Sequence, residues 1–466
     1  MSAVVVFVLI LAYSALSRAG NLRLGKEHDR PEFSHFAWGA MLFCTGMGIG
    51  LVFFGVAEPV MHYTSPPVGG GETDAAVRNA MEITFFHWGI SAWAIYAIVA
   101  LVISYAAYRK GLPIEMRSAL YPIFKERIYG PVGDMIDTFA VLATIVGIVT
   151  PLGFGVMQIN SGLSYLFNIP DSTIVQIALV LGISGVTCTS LLLGLKKGIK
   201  RLSLINMAVA IGLMVFVFLF GKSAYILNAT VENIGDYASS LVPLSFETYS
   251  FTNPEWFRGW TLFYWAWWIA FAAPTGIFIA RISKGRTIRE FVFGVLVIPV
   301  GFSFAWLSVF GNTALDLIHN SGLESLQAAV MADSSTALFQ FFDIFSEWKI
   351  LSYIALFCIF VFFITTADSG TMVVNILTSP KEDQAPGHER VFWVLVEAGI
   401  TSLLLLIGGM AAIQSTLIIL GFPFAWMIAV MCAGFVKSIS EELKDPRIGR
   451  TKESDLSTSS LRESIQ

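Results

Sequence analysis

Apolar residues in this chain gather into long unbroken stretches, unlike the one-sided or alternating patterns of a water-soluble protein. Eleven stretches can be delimited: 3–17, 36–61, 80–108, 134–165, 173–195, 202–221, 258–281, 288–312, 347–378, 391–409 and 413–436. At a rise of about 1.5 Å per residue, some 20 residues of helix cross a hydrocarbon core of about 30 Å. The pattern predicts an all-α, polytopic membrane protein. The stretches do not alternate with a period of two, which excludes a membrane β-barrel. Residues 222–257 and 313–346 mix apolar and polar positions and predict short helices lying at the interface.

Composition sharpens this reading. Hydrophobic residues make up 55% of the 466 and charged residues only 13%, too few to solvate the surface of a soluble protein of that size. A cytosolic enzyme and a secreted scaffold are excluded, and a net charge of −4 offers no basic surface for nucleic acid. The basic residues instead orient the chain. Of 29 Lys and Arg, 25 fall on alternate loops and the tail, leaving Arg78, Lys222, Arg258 and Lys349 on the other side. The rich side is expected to be cytoplasmic, so the first stretch starts outside and the C-terminus ends inside. Arg18, Arg23, Lys26 and Arg30 follow the first stretch with no small-residue cleavage site, so it reads as a helix and not a leader. The tail 437–466 is polar and balances its basic residues with acidic ones, unlike a lipid-binding basic segment. Cys44, Cys188, Cys358 and Cys432 lie in apolar stretches without metal-ligand spacing and read as reduced core thiols.

Setting the first stretch aside leaves ten, which divide as five plus five. Two halves with an odd number of spans have opposite topology. The predicted organisation is an outer helix and loop (1–35), a first five-helix repeat (36–221), an external amphipathic segment (222–257), a second repeat (258–436) and the tail (437–466). The first helix of each repeat is interrupted at mid-depth, by Gly46-Met47-Gly48-Ile49-Gly50 and by Ala272-Ala273-Pro274-Thr275-Gly276. Matched interruptions point to a binding site at the midplane.

Three groups of residues carry candidate chemistry. Freed N–H groups around Gly46, Gly48 and Gly50 can hold an anionic ligand group, although Gly46 and Gly50 also fit a helix-packing face. Trp260, Tyr264, Trp267, Trp268 and Phe271 share one helix face over roughly 16 Å. With Trp88 and Tyr96 they can enclose a quaternary ammonium by cation–π attraction, or simply pack. Thr365, Thr366 and Asp368 lie mid-helix, where hydroxyls and carbonyls suit a small hard cation or bond back to their own helix. Glu58, Glu82, His87 and Glu397 also lie in or near the membrane. Each is expected to serve structure, with Glu58 and Glu82 near enough to helix ends to reach water.

Together these motifs resemble the betaine/carnitine/choline transporter family. The resemblance rests on Gly46 to Leu51 followed by Glu58-Pro59, on Phe86-His87-Trp88 with Trp93 to Tyr96, on Phe263-Tyr264-Trp265-Ala266-Trp267-Trp268, and on the run Ala280 to Glu290. It implies a LeuT-like fold of two inverted five-helix repeats preceded by two outer helices, of which this sequence shows the second. It implies a homotrimer in the bacterial inner membrane that takes up an onium compound, closest to the sodium-coupled glycine betaine carriers. The aromatic box would match Trp88, Tyr96, Phe263, Trp267, Trp268 and Phe271. The main sodium site would match backbone groups of Cys44, Met47 and Phe362 with the hydroxyls of Thr365 and Thr366, and a second sodium site would draw on Thr144. Three positions depart from the betaine carriers. Phe271 replaces a Trp, Ala272-Ala273-Pro274-Thr275 replaces a Ser-Pro-Phe-Val run, and Ile148 replaces a hydroxyl. Gly50 stands where choline carriers of the family tend to have Asp, and Met207 stands where sodium-independent relatives place an Arg. The implied activity is sodium-coupled uptake of glycine betaine or a relative such as dimethylsulfoniopropionate. The alternatives are a sodium-independent exchanger and a proton-coupled choline carrier. A channel would need a polar pore or carbonyl filter, and an enzyme a nucleophile–base pair or metal cluster at depth; neither signature is visible.

Overall fold

The computed structural model describes residues 1–46, 48–193, 196–345, 348–378 and 386–444, with side chains at all of these except 46 and 196–200. Among these residues eight helices are long and apolar enough to cross a membrane, and two bent pairs bring the spans to as many as ten. A shorter apolar helix, α1 (Ser2–Leu16), precedes them. In hydrocarbon every backbone N–H and C=O must be satisfied within the segment, so these Leu-, Val-, Ile- and Phe-rich runs become helices. The fold is LeuT-like.

The first bent pair is α2 (His35–Gly46) and α3 (Ile49–Thr64), turned by 60°. Gly48 is fully extended between them and serves as the N-cap of α3. The next span is interrupted. The sequence predicts one helix over 80–108, but α4 (Asp74–Trp88) and α5 (Ile90–Ser104) meet at an extended Gly89. Continuous spans follow: α6 (Pro131–Phe167), α7 (Thr173–Leu193) and α8 (Lys196–Phe220). The amphipathic segment forms one long helix, α9 (Ser223–Phe246). Its Tyr237 hydroxyl accepts the Ile90 amide at 2.9 Å. A Cβ on Gly89 would lie 2.5 Å from that hydroxyl, so glycine is what lets α9 seat at the interruption.

The second bent pair is α10 (Pro254–Ala270) and α11 (Ala272–Ile282), turned by 50°. The chain breaks at Phe271 (φ −84°, ψ 1°), ahead of the Ala272–Gly276 run that the sequence singles out. Pro274 explains the offset: its ring excludes the carbonyl four residues earlier, at Ala270, from a regular helix. The spans α12 (Ile288–His319), α13 (Ile350–Thr378), α14 (Gly387–Ile407) and α15 (Gly409–Leu443) complete the second set of five. Helix α12 runs seven residues beyond its predicted end at 312. Helix α15 extends into the predicted tail, where Glu442 pairs with Arg109 and with Lys110 at 2.9 Å. The tail beyond Lys444 lies outside the described residues.

At the end of the bundle that carries the basic loops, two connections are tied together. Leu24 N–H donates to the Arg286 carbonyl (2.8 Å), Gly285 N–H to Leu24 (2.8 Å) and Ile288 N–H to Leu22 (2.9 Å). The Arg286 guanidinium lies 4.1 Å over the Trp38 ring and donates to the Phe33 carbonyl at 2.9 Å. The start of the first broken span is thereby fastened to the end of the second.

Candidate functional site

The two breaks meet at mid-bundle and enclose a cavity of about 140 Å³. Water occupies about 30 Å³ per molecule, so the cavity suits one small compact solute. Gly48 and Gly50 line it on one side, Trp88 and Tyr96 on another, and Trp267, Trp268 and Phe271 on a third. Thr45 and Thr366 complete the wall. Trp88 stands nearly perpendicular to Trp267 (80°, 6.3 Å) and to Trp268 (79°, 5.8 Å). Tyr96 closes on Trp268 at 4.8 Å. With Trp88 at right angles to each of the other two indoles, π faces and edges are presented to one small volume, an arrangement that receives a quaternary ammonium. Gly50 is required by this packing, because a Cβ there would lie 2.4 Å from the edge of Trp267. The Trp268 Nε1 is buried with no hydrogen-bond partner among the described residues.

The aromatic stripe divides. Trp267, Trp268 and Phe271 face the cavity, whereas Trp260 and Tyr264 turn to a buried polar cluster. Phe263, expected in the box, is not among the lining residues. It is fully buried behind Trp267, stacked on it at 5.8 Å, and packs against Phe154 at 6.0 Å. Phe154 and Phe54 extend this layer behind Trp267 (5.5 Å apart). Toward the basic loops, Thr45 and Thr366 are only half-buried and Cys44 is exposed. That exposure departs from a core thiol.

The expected ion ligands are placed unevenly. Gly46 is the last residue of α2, and Met47 lies outside the described residues. The Thr366 side faces the cavity. Thr365 Oγ1 donates back to the carbonyls of Val361 (2.9 Å) and Phe362 (3.1 Å), the local bond open to a mid-helix threonine. Cys44 Sγ touches Met207 Sδ at 3.4 Å. Thr144 Oγ1 is buried without a partner among the described residues, one turn from Ile148, whose side chain fills the space over Gly370.

Glu58 and His87 do not reach water. Both are fully buried, in a cluster that sequence spacing alone does not assemble. Glu58 Oε1 faces His87 Nδ1 at 2.7 Å and His62 Nε2 at 3.3 Å. Its Oε2 accepts Trp88 Nε1–H at 2.8 Å and Tyr264 O–H at 2.5 Å. His87 Nε2 meets Thr261 Oγ1 at 3.0 Å. Glu58, His62 and His87 are the one group among the described residues with three metal-ligand atoms in reach of one another. Both carboxylate oxygens are already committed to Trp and Tyr donors or to the imidazoles, which leaves this set spent on hydrogen bonds. Glu397 is also buried, its Oε2 accepting from Thr371 at 2.9 Å. The useful signal for the cluster was Glu58 and His62 one helical turn apart on an otherwise apolar helix.

A profile described as the betaine/carnitine/choline family transporters matches residues 1–444. The chain belongs to this family. It is 47% identical over 433 residues to a glycine betaine transporter of Acinetobacter baylyi, covering 93% of this chain and 66% of the relative. It is 44% identical to the glycine betaine transporter OpuD of Bacillus subtilis (94% and 85% covered) and 42% identical to the high-affinity choline transport protein of Escherichia coli (94% and 65% covered). The chain thus spans a little under two thirds of the length of the Acinetobacter and Escherichia relatives. Among solved structures, a sodium-coupled sialic acid symporter in a substrate-bound outward-open state superposes with a TM-score of 0.53 at 13% identity, covering 91% of this chain and 84% of that one. That likeness concerns the fold alone. The family is one of transporters, and no enzyme activity attaches to it.

Proposed function

We propose that this family member is a secondary transporter that takes up glycine betaine, or a close zwitterionic onium compound such as dimethylsulfoniopropionate, by alternating access with sodium as co-substrate. The observation that carries the reading is the cavity between the two broken spans, walled by Trp88, Trp267 and Trp268 and floored by the backbone at Gly48 and Gly50. The indoles take the ammonium. The backbone near Gly46 to Gly50 and the unpartnered Trp268 N–H take the carboxylate. The glycine betaine relatives support this choice of substrate. Thr365 spends its proton on two carbonyls, so its oxygen lone pairs remain for a cation beside Thr366. From α8, Met207 and not a cationic side chain meets Cys44, which favours sodium over an exchanger. The basic loops and the family resemblance support a homotrimer in a bacterial inner membrane with the C-terminus in the cytoplasm.

The Escherichia relative's name makes a choline carrier the second reading. Gly50 separates the two. With the Trp267 edge lying over it there is no room for a side-chain carboxylate beside the ammonium, so a bare cation gains less here than a zwitterion. Proteoliposomes given betaine and choline at equal concentration are expected to accumulate betaine only. Equal accumulation of choline would reverse the assignment.

A further inference from the structure

We infer that Glu58 charges the aromatic box: its buried carboxylate, bonded to the Trp88 indole, supplies the negative charge that draws the substrate's ammonium, so it is a specificity-determining residue acting through Trp88. The inference rests on the reading of the cavity as an onium site and deepens it.

The donors around Glu58 fix its state. Trp88 Nε1–H can only donate, and it points at Oε2 from 2.8 Å. Tyr264 donates to the same oxygen at 2.5 Å. His87 Nδ1, at 2.7 Å from Oε1, donates to the carboxylate, and its Nε2 shares a 3.0 Å hydrogen bond with the Thr261 hydroxyl, in which either end can donate. His62 presents Nε2 to Oε1, while its Nδ1 is buried beside the Trp256 and Trp260 rings with no partner among the described residues. A proton on that nitrogen would be an unsatisfied buried donor, so His62 is neutral. With His62 neutral, the carboxylate is held by four hydrogen bonds and sealed from water.

The indole of Trp88 separates this charge from the cavity, which it lines with its ring. A hydrogen bond from Nε1–H to a carboxylate pushes electron density into the ring and strengthens its face toward a cation, and the carboxylate adds its own field across a dry interior. The anion lies one indole away from the ligand and not in contact with it, and it acts alike on any onium head group, so it leaves the choice between betaine and choline to the carboxylate end of the cavity. A compound of the same shape without the positive nitrogen gains from neither effect.

The test compares betaine with 3,3-dimethylbutanoate, which carries carbon in place of the charged nitrogen. Glu58→Gln removes the charge and keeps the shape: the amide oxygen still accepts from Trp88 and Tyr264. The amide NH₂ takes the place of the oxygen that faced the two imidazoles, of which His87 can present a bare nitrogen to it and His62 loses its acceptor. In the purified full chain, betaine affinity is expected to fall about tenfold, about 1.4 kcal/mol, while inhibition by the butanoate changes less than twofold. Trp88→Phe keeps a ring but removes the N–H, and the double variant is expected to lose less than the sum of the single losses, since either change removes the polarisation carried by the indole. Equal losses for the two ligands, an unchanged betaine affinity in Glu58→Gln, or additive losses in the double variant would each reduce Glu58 to a structural group. If Glu58→Gln does not fold, Trp88→Phe alone decides by the same ligand ratio. A wild-type protein that binds no betaine overturns the underlying reading, and this inference with it.

Discussion

Trp267→Leu is expected to weaken betaine affinity about 30-fold, corresponding to about 2 kcal/mol of desolvated cation–π attraction. Trp267 is the wall residue with the most dependants. Its ring stacks on Phe263, meets Phe154 edge-on at 5.4 Å, and lies over Gly50. Leucine fills part of the volume but offers no π face, so the ammonium loses one side of its enclosure while the Phe263–Phe154 layer behind persists. Phe271→Trp, which enlarges a ring one turn further along the same wall, is expected to be tolerated and to narrow the range of accepted substrates. Isothermal titration on the solubilised protein measures both. An unchanged affinity in Trp267→Leu would return the stripe to ordinary packing.

Removing external sodium is expected to reduce betaine uptake to background, about a hundredfold, at any pH. An empty cation site beside Thr366 leaves α13 and the broken α2–α3 span without their shared ligand. Sodium should then raise betaine affinity, and betaine sodium affinity, by one common factor, as linkage requires. Thr366→Ala is expected to raise the half-saturating sodium concentration without altering which onium compounds are accepted. Thr365→Ala should do the same, because that hydroxyl spends its proton on Val361 and Phe362 and keeps its oxygen for the ion. Tracer uptake into proteoliposomes with sodium or potassium outside reads all three. Full uptake in sodium-free medium would favour exchange or proton coupling.

What the sequence made legible was whatever hydrocarbon enforces. Long apolar runs must be helices, so the spans and their five-plus-five division follow from them, as do the two breaks with their Gly and Pro, whereas the LeuT-like arrangement is what the family resemblance implied. The position of the second break follows from Pro274 excluding the Ala270 carbonyl, a steric effect that acts upstream of the residues that look unusual. The Gly89 interruption was hidden, since one glycine inside an apolar run is neutral until Tyr237 arrives from a helix about 150 residues away. Phe263 shows a different limit. In a block of six consecutive residues of which five are aromatic, helical phase does not say which ring faces a ligand and which backs another ring. The Glu58 cluster draws on residues from 58 to 264, and only the fold shows that their polar atoms coincide.

The stitching of residues 22–24 to 285–288, with Arg286 clamped over Trp38, bears on how many ways the protein can move. Two broken helices hinged separately would have two angles to vary, and mismatched combinations of them would leave a continuous leak past an occupied or empty site. Fastened at their ends, the pair has one degree of freedom. If the cavity opens toward the basic loops, the two helices are expected to swing together, and the mismatched combinations of their angles become costly because they would tear these contacts.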